Sequence, residues 1–180
     1  MSQPERVVYT IGHSTHPIEV FTAMLRSFDI RLLVDIRGLP GSNKYPQYNQ
    51  EALQASLPAS GIAYLHLPDL GGRRRVHRDS HNTRWRNASF RAYADYMETD
   101  DFARGIARLM DEAERQPTAY FCAEAVWWRC HRSLVSDYLK AHGWRVMHIT
   151  GVGRAEEHPY TQAARVVGNR VYYSDPGLFD

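Results

Sequence analysis

Apolar and polar positions along the chain switch repeatedly between a two-residue and a helical period, and that alternation predicts the fold. Residues 7–11 form a short apolar, β-branched run that reads as a first strand. It runs into Gly12-His13-Ser14-Thr15. Ile18, Phe21, Met24, Leu25 and Phe28 then recur at helical spacing after Pro17, a residue suited to a first helical turn. Residues 32–36 predict a second strand, followed by a loop with Pro40, Gly41, Ser42, Tyr45 and Pro46. Asn49 suits the cap of a helix running through Leu53 towards Leu57, and Gly61 stops it. Residues 62–67 predict a third strand. Residues 71–87 are polar with no apolar period and read as a loop or irregular excursion.

Two helices follow, over 90–97 and 101–114, the second with Phe102, Ile106, Leu109, Met110 and Ala113 on one face. Pro117 marks the break before a fourth strand at 118–122. A helix over 130–141 turns Leu134, Val135, Tyr138 and Leu139 inward and ends at Gly143. A fifth strand spans 145–149, and Gly168-Asn169 between apolar residues suits a C-terminal hairpin over 166–173. Strand and helix alternate throughout. The expected fold is therefore α/β, three-layered, with a mostly parallel central sheet of about five strands flanked by helices. With no internal repeat and no linker, residues 1–180 read as one domain.

Composition narrows the class. The chain has 180 residues, 43% of them hydrophobic, which is enough for a packed core. No apolar run is long enough for a membrane span, and residues 1–6 lack the apolar stretch of a signal peptide. Two cysteines, Cys122 and Cys130, are too few for a secreted disulfide scaffold, so a cytoplasmic protein is expected. Their spacing, with His131, matches no common zinc pattern, and no metal is assigned. No dinucleotide fingerprint and no phosphate-binding Gly-Lys-Ser loop occurs, so no cofactor is assigned either. Nothing in the pattern sets an oligomeric state.

The net charge of +2 argues against coating nucleic acid by bulk charge. The kind of cation says more: Lys44 and Lys140 are the sole lysines, so nearly all cations are arginines, whose planar forks grip carboxylates and phosphates.

In open α/β sheets ligands bind beyond the carboxyl ends of the strands. Here those ends carry His13 and Ser14; Asp35 and Arg37; Asp69 with Gly71-Gly72-Arg73; and Cys122 and Glu124 followed by Arg129, Cys130, His131 and Arg132. Gly12 before His13-Ser14 would let backbone amides approach an anion, or Ser14 or Thr15 caps the helix instead. Asp35 and Arg37, two apart on one strand face, are candidates for a pair with each other or with Arg132. A thiol facing a helix N-terminus has its thiolate favoured, and arginines favour it further. Cys122 is the candidate nucleophile, with His13, Asp35 and Glu124 for proton transfer. Ser14, Arg37, Arg73, Arg129, His131 and Arg132 are candidates for holding substrate. Either cysteine could equally be a core residue. Residues 71–91 carry seven arginines against one acid, Asp79, with His77, His81 and Trp85 interleaved. That mixture suits a nucleic-acid backbone and a stacked base, or a solvated loop.

Ile11-Gly12-His13-Ser14, Asp35-Ile36-Arg37 with Pro40 and Ser42, Leu70-Gly71-Gly72, Cys122-Ala123-Glu124 with Cys130-His131-Arg132, and the late His158-Pro159 with Thr161 and Ala163-Ala164 together resemble the domain of unknown function 488 family. The resemblance implies an α/β fold with the Cys-Glu and Cys-His-Arg residues near a common cleft, and no settled activity. Ala125-Val126-Trp127-Trp128 depart from the polar stretch expected there. The two tryptophans suit a stacking surface or packing against a neighbouring chain. Leu33-Val34-Asp35-Ile36-Arg37, Cys122 at a strand end, and Gly143-Trp144-Arg145-Val146 with Gly151-Val152-Gly153 resemble rhodanese-like domains more weakly. The two tryptophans and the second cysteine interrupt the tight loop of that fold.

The leading expectation is an enzyme or ligand-binding domain acting on a phosphate-bearing small molecule, nucleotide or nucleic acid at the strand ends. The alternatives are a non-catalytic nucleic-acid module using the arginine loop 71–91, and a sulfurtransferase with Cys122 as nucleophile.

Overall fold

A computed structural model describes residues 5–41 and 44–177; Ser42 lies outside the described residues. The strands are β1 (Val7–Gly12), β2 (Leu32–Asp35), β3 (Ala63–His66), β4 (Thr118–Cys122), β5 (Arg145–Gly151) and β6 (Arg154–Glu157). They form one sheet in the order β3-β2-β4-β1-β5-β6. Its first five strands are parallel, and β6 pairs antiparallel with β5. A second, two-stranded sheet joins β7 (Arg165–Val167) to β8 (Arg170–Tyr172) through Gly168, whose φ of 63° meets the demand of the tight turn. The hairpin lies where the Gly-Asn pair predicts it.

Period-two alternation along each strand sends side chains to opposite faces, and two cores result. Leu32, Val34, Val8 and Tyr120 pack with Tyr93 of α3 (Ala88–Tyr96), Phe102, Ile106 and Leu109 of α4 (Asp100–Arg115), and Leu134, Val135 and Leu139 of α5 (Arg132–Ala141). On the other face Ile11, Leu33, Ala119 and Phe121 pack with Phe21, Met24 and Leu25 of α1 (Ile18–Arg26) and Leu53 of α2 (Gln50–Ser56). Each such large apolar side chain contributes roughly 1.5–3 kcal/mol when fully buried. Six mostly parallel strands between five helices make the predicted three-layer α/β architecture, with β6 as an addition.

The β6 sequence, Arg154-Ala155-Glu156-Glu157, has no apolar alternation, so nothing in its pattern announces a strand. Backbone pairing to β5 and an ion pair between Arg145 and Glu157 hold it, and its charges suit an edge. No helix among the described residues is long and apolar enough to cross a membrane.

The chain leaves β1 for β2 on one side and leaves β4 for β5 on the other. The carboxyl ends of β1 and β4, which are neighbours, therefore form the point where the topology reverses.

Candidate functional site

At that point the loop after β4 folds over the end of β1. The amides of His13 and Ser14 donate to the carbonyls of Cys122 (3.0 Å) and Ala123 (2.9 Å). These amides are thus engaged by the neighbouring loop. Ser14 adopts a left-handed φ of 48°, and the residue preceding α1 is Pro17, with no side-chain cap from Ser14 or Thr15. Gly12 has no room for a side chain: a Cβ there would lie 1.7 Å from the Glu124 carbonyl oxygen. Gly12→Ala should therefore push the 122–125 loop off β1 and cost about 2–3 kcal/mol by overpacking against backbone. Urea unfolding checks this, and a loss below 0.5 kcal/mol would mean the loop moves freely.

Gly71 and Gly72 act similarly on the other side. A Cβ on Gly71 would meet the Gly38 Cα at 2.6 Å, and one on Gly72 the His131 ring at 2.9 Å. The turns after β2 and β3 thereby close down on the start of α5.

Two clusters of predicted residues result. In the first, Asp35 is fully buried and accepts both arms of Arg37, Nε at 2.9 Å and NH2 at 2.8 Å, along with the Tyr64 hydroxyl at 2.5 Å. Arg37 also donates to the Tyr48 carbonyl (2.7 Å) and lies 4.8 Å over the Phe121 ring. Asp35 and Arg37 thus pair with each other, and Arg132 is elsewhere. His13 is buried and stacks on Tyr48 with ring centres 4.2 Å apart. Burial lowers its pKa against the opposing Ser14 carbonyl contact, so near neutral pH the ring is uncharged.

The second cluster surrounds the cysteines, both buried and unpaired by any disulfide. Burial pushes the Cys122 thiol well above its ordinary range, reinforced by its hydrogen bond to Cys130. Burial opposes ionisation of Cys130 too. There the bond from the Cys122 thiol, the Arg132 amide at 3.4 Å and the Arg132 charge outweigh it, and the Cys130 pKa is lowered. Position adds to this: Cys130 lies just before the N-terminus of α5, where the Arg132 amide points at the sulfur and the helix dipole favours an anion. His131 donates Nε2–H to the Ile36 carbonyl (2.8 Å), which leaves Nδ1 as an acceptor 3.4 Å from the Cys130 sulfur. Burial lowers the His131 pKa as well.

Arg132 is 1% exposed, yet no carboxylate pairs with it among the described residues. Its guanidinium donates to Thr10 Oγ1 (3.1 Å) and to the carbonyls of Glu124 (3.2 Å) and Ala125 (3.4 Å), and its Nε has no partner. Glu124 and Arg129 are exposed at the rim, as is Arg73, which follows Gly72. Among the described residues no group of three His, Cys, Asp or Glu side chains could hold a metal ion.

The arginine loop divides. Arg74 lies 3.6 Å over Tyr96 and donates to the Gly71 carbonyl, Arg84 donates to the Ala163 carbonyl, and Arg91 to the Trp85 carbonyl. Trp85 packs against Phe90 and Tyr173 at the margin of the core and is partly buried, so its ring is engaged within the protein. Arg73, Arg75, Arg78 and Arg86 remain exposed.

Thr10, Asp137 and His148 escape sequence reasoning. Thr10 and His148 face Arg132 from β1 and β5, and Asp137 lies buried on α5. Inward alternation from Val8 and Val146 is the only signal that could have found the two strand residues. Trp127 covers His148, stacked on it with centres 5.0 Å apart, and Trp128 beside it is 54% exposed. Two open hollows of about 580 and 840 Å³ lie at the opposite end of the sheet, beside Trp144, where no comparable chemistry collects.

Comparison with known proteins adds one assignment. No curated protein and no solved structure matches the chain. A family model does match, over residues 17–139, about two thirds of the sequence, and it spans the crossover from α1 to the helix that carries Arg132. The chain belongs to the family described as Domain of unknown function DUF488.

Proposed function

We propose that this protein is an enzyme in which Cys130 is the thiolate nucleophile, acting on an anionic, phosphate-bearing small molecule at the strand-end site. The observation that carries this is Arg132. An arginine stays charged when buried, and a buried charge without a counter-ion is costly. With no carboxylate paired with it among the described residues, the Cys130 thiol, whose ionisation the Arg132 charge favours, is the group that would supply the negative charge. Cys122 is held as a thiol by burial. His131 Nδ1 is the nearest side-chain base.

The role first considered for Cys122 thus passes to Cys130, whose place at a helix N-terminus is the stronger physical ground. Exposed Arg73 and Arg129 at the rim favour an anionic substrate, and exposed Glu124 is the rim carboxylate available for proton transfer. The arginines 75, 78 and 86 would suit a nucleic-acid backbone, but the packing of Trp85 withdraws the stacking partner that reading needs.

The test is alkylation by iodoacetamide as a function of pH, read by mass spectrometry, with and without AMP or inorganic phosphate. Cys130 should react with a midpoint below the ordinary thiol value of about 8.5, Cys122 should stay unmodified, and AMP should slow the reaction. If both thiols stay inert until the protein is denatured, the thiolate is wrong. If Cys130 reacts and no phosphate compound slows it, the substrate class is wrong and the thiolate stands.

A further inference from the structure

Behind the Cys130 site runs a buried chain of hydrogen bonds drawn from α5, β1, β5 and the segment after β6. Arg132 NH1 donates to Thr10 Oγ1 at 3.1 Å, and Thr10 Oγ1 lies 2.5 Å from His148 Nδ1. His148 Nε2 lies 2.8 Å from His158 Nδ1, and His158 Nε2 lies 2.8 Å from Asp137 Oδ1. Asp137 also accepts from the Thr161 amide (3.0 Å), the Thr161 hydroxyl (2.6 Å) and the Tyr173 hydroxyl (2.8 Å). Arg132, Thr10, His148, His158 and Asp137 are each at most 2% exposed.

One alignment of the bonds satisfies both ends. Arg132 can only donate, so Thr10 Oγ1 accepts from it and keeps its own proton to donate to His148 Nδ1. His148 Nδ1 is then bare, and its proton sits on Nε2 and points at His158. His158 Nδ1 is bare in turn, and its Nε2–H meets the Asp137 carboxylate. In this arrangement all donors are aligned from Arg132 to Asp137.

We propose that Asp137, His158, His148 and Thr10 form a positioning chain that fixes the Arg132 guanidinium against the 124–125 loop, at the start of the helix whose first amide meets the Cys130 sulfur, so that the docked C-terminal segment controls the reactivity of this thiol. The proposal rests on the thiolate reading of Cys130. Thr10 is the decisive link, because its hydroxyl is the one side-chain acceptor that Arg132 has. The carbonyls of Glu124 and Ala125 belong to the exposed loop that Arg132 itself helps to hold. The other charged or titratable groups acting on Cys130 are Cys122, Glu124, Tyr93 and the adjacent His131, none of which belongs to the chain. A change made at Thr10 therefore reaches the sulfur through Arg132.

The experiment compares wild type, Thr10→Val and Thr10→Ser by iodoacetamide alkylation of Cys130 against pH, with urea unfolding of each as a check on folding. Thr10→Val keeps the shape and removes the hydroxyl. It should raise the alkylation midpoint by about one pH unit, roughly a tenfold slower reaction at pH 7, and Thr10→Ser should restore the wild-type profile. A folded Thr10→Val protein with the wild-type profile overturns the proposal.

Should Thr10→Val not fold, or wild-type Cys130 prove inert, long-range proton–nitrogen NMR of the wild-type imidazoles decides. Protons on Nε2 of both His148 and His158 support the aligned chain, and a proton on His148 Nδ1 overturns it. Inert wild-type Cys130 removes the thiolate assignment by itself, so the two failures are told apart.

Discussion

Replacing Asp137 by alanine should lower the free energy of unfolding by about 3–5 kcal/mol, the range for leaving buried charged and polar partners stranded. The carboxylate is fully buried on α5 and accepts four hydrogen bonds, from His158, from the amide and hydroxyl of Thr161, and from Tyr173. All four donors come from the segment after β6, so Asp137 is the post to which the C-terminal part of the chain is tied. Asp137→Ala strands those donors in a space water does not reach. The loss should also be uneven: residues 158–173 should become accessible to protease before the parallel sheet does, because they depend on this contact and the strands do not. Equilibrium urea unfolding and limited proteolysis read the two effects. A loss under 1 kcal/mol would show that the donors find other acceptors.

Acid should unfold the protein earlier than carboxylate protonation alone would, and His148 is the main reason. Burial, the neighbouring His158 and the Arg132 charge together lower its pKa to about 2. In the unfolded chain the ring binds a proton below about 6.5. The unfolded state therefore holds more protons than the folded state between those two values, and stability falls as pH drops through that window. The slope is about 1.4 kcal/mol per pH unit for each such ring, so His148 alone should remove about 2–3 kcal/mol between pH 6.5 and 4.5. His13 and His131, also lowered by burial, act in the same direction. Urea midpoints at pH 7.5, 6.5, 5.5 and 4.5 measure the slope, and His148→Gln should reduce it by about one proton. An unchanged midpoint from pH 6.5 to 4.5 would mean that His148 is already protonated in the fold, and that the buried chain carries an extra charge.

Much of the fold was legible because it is local. The fourth strand, Thr118–Cys122, falls on the predicted residues, and the helix with Phe102, Ile106 and Leu109 on one face extends the prediction by one residue at each end. Asp35 and Arg37 share a strand face by period two, and they meet as a bidentate pair. β6 was illegible since its residues are charged and its stability comes from a neighbour's backbone. Trp85 shows a related limit: an aromatic among arginines has the composition of a nucleic-acid site or of a solvated loop, and only packing against Phe90 and Tyr173 shows that it is partly buried. Asp137 sits among Leu134, Tyr138 and Leu139 as an ordinary polar helix position until the C-terminal segment closes over it.

The sequence by itself determined that strands alternate with helices, that the sheet is mostly parallel, and that cysteine, histidine, arginine and carboxylate residues gather at its carboxyl edge. Those are consequences of periodicity and turn chemistry, which act between near neighbours. Only the tertiary structure decided which of those groups touch. Placing β4 between β2 and β1, with β5 beyond β1, brings Thr10 to Arg132 across 122 residues and to His148 across 138. The Arg132 amide at the Cys130 sulfur is by contrast a contact between near neighbours, two residues apart. Strand order is a global packing solution, selected by how both faces of the sheet are covered, and no local pattern along the chain encodes it.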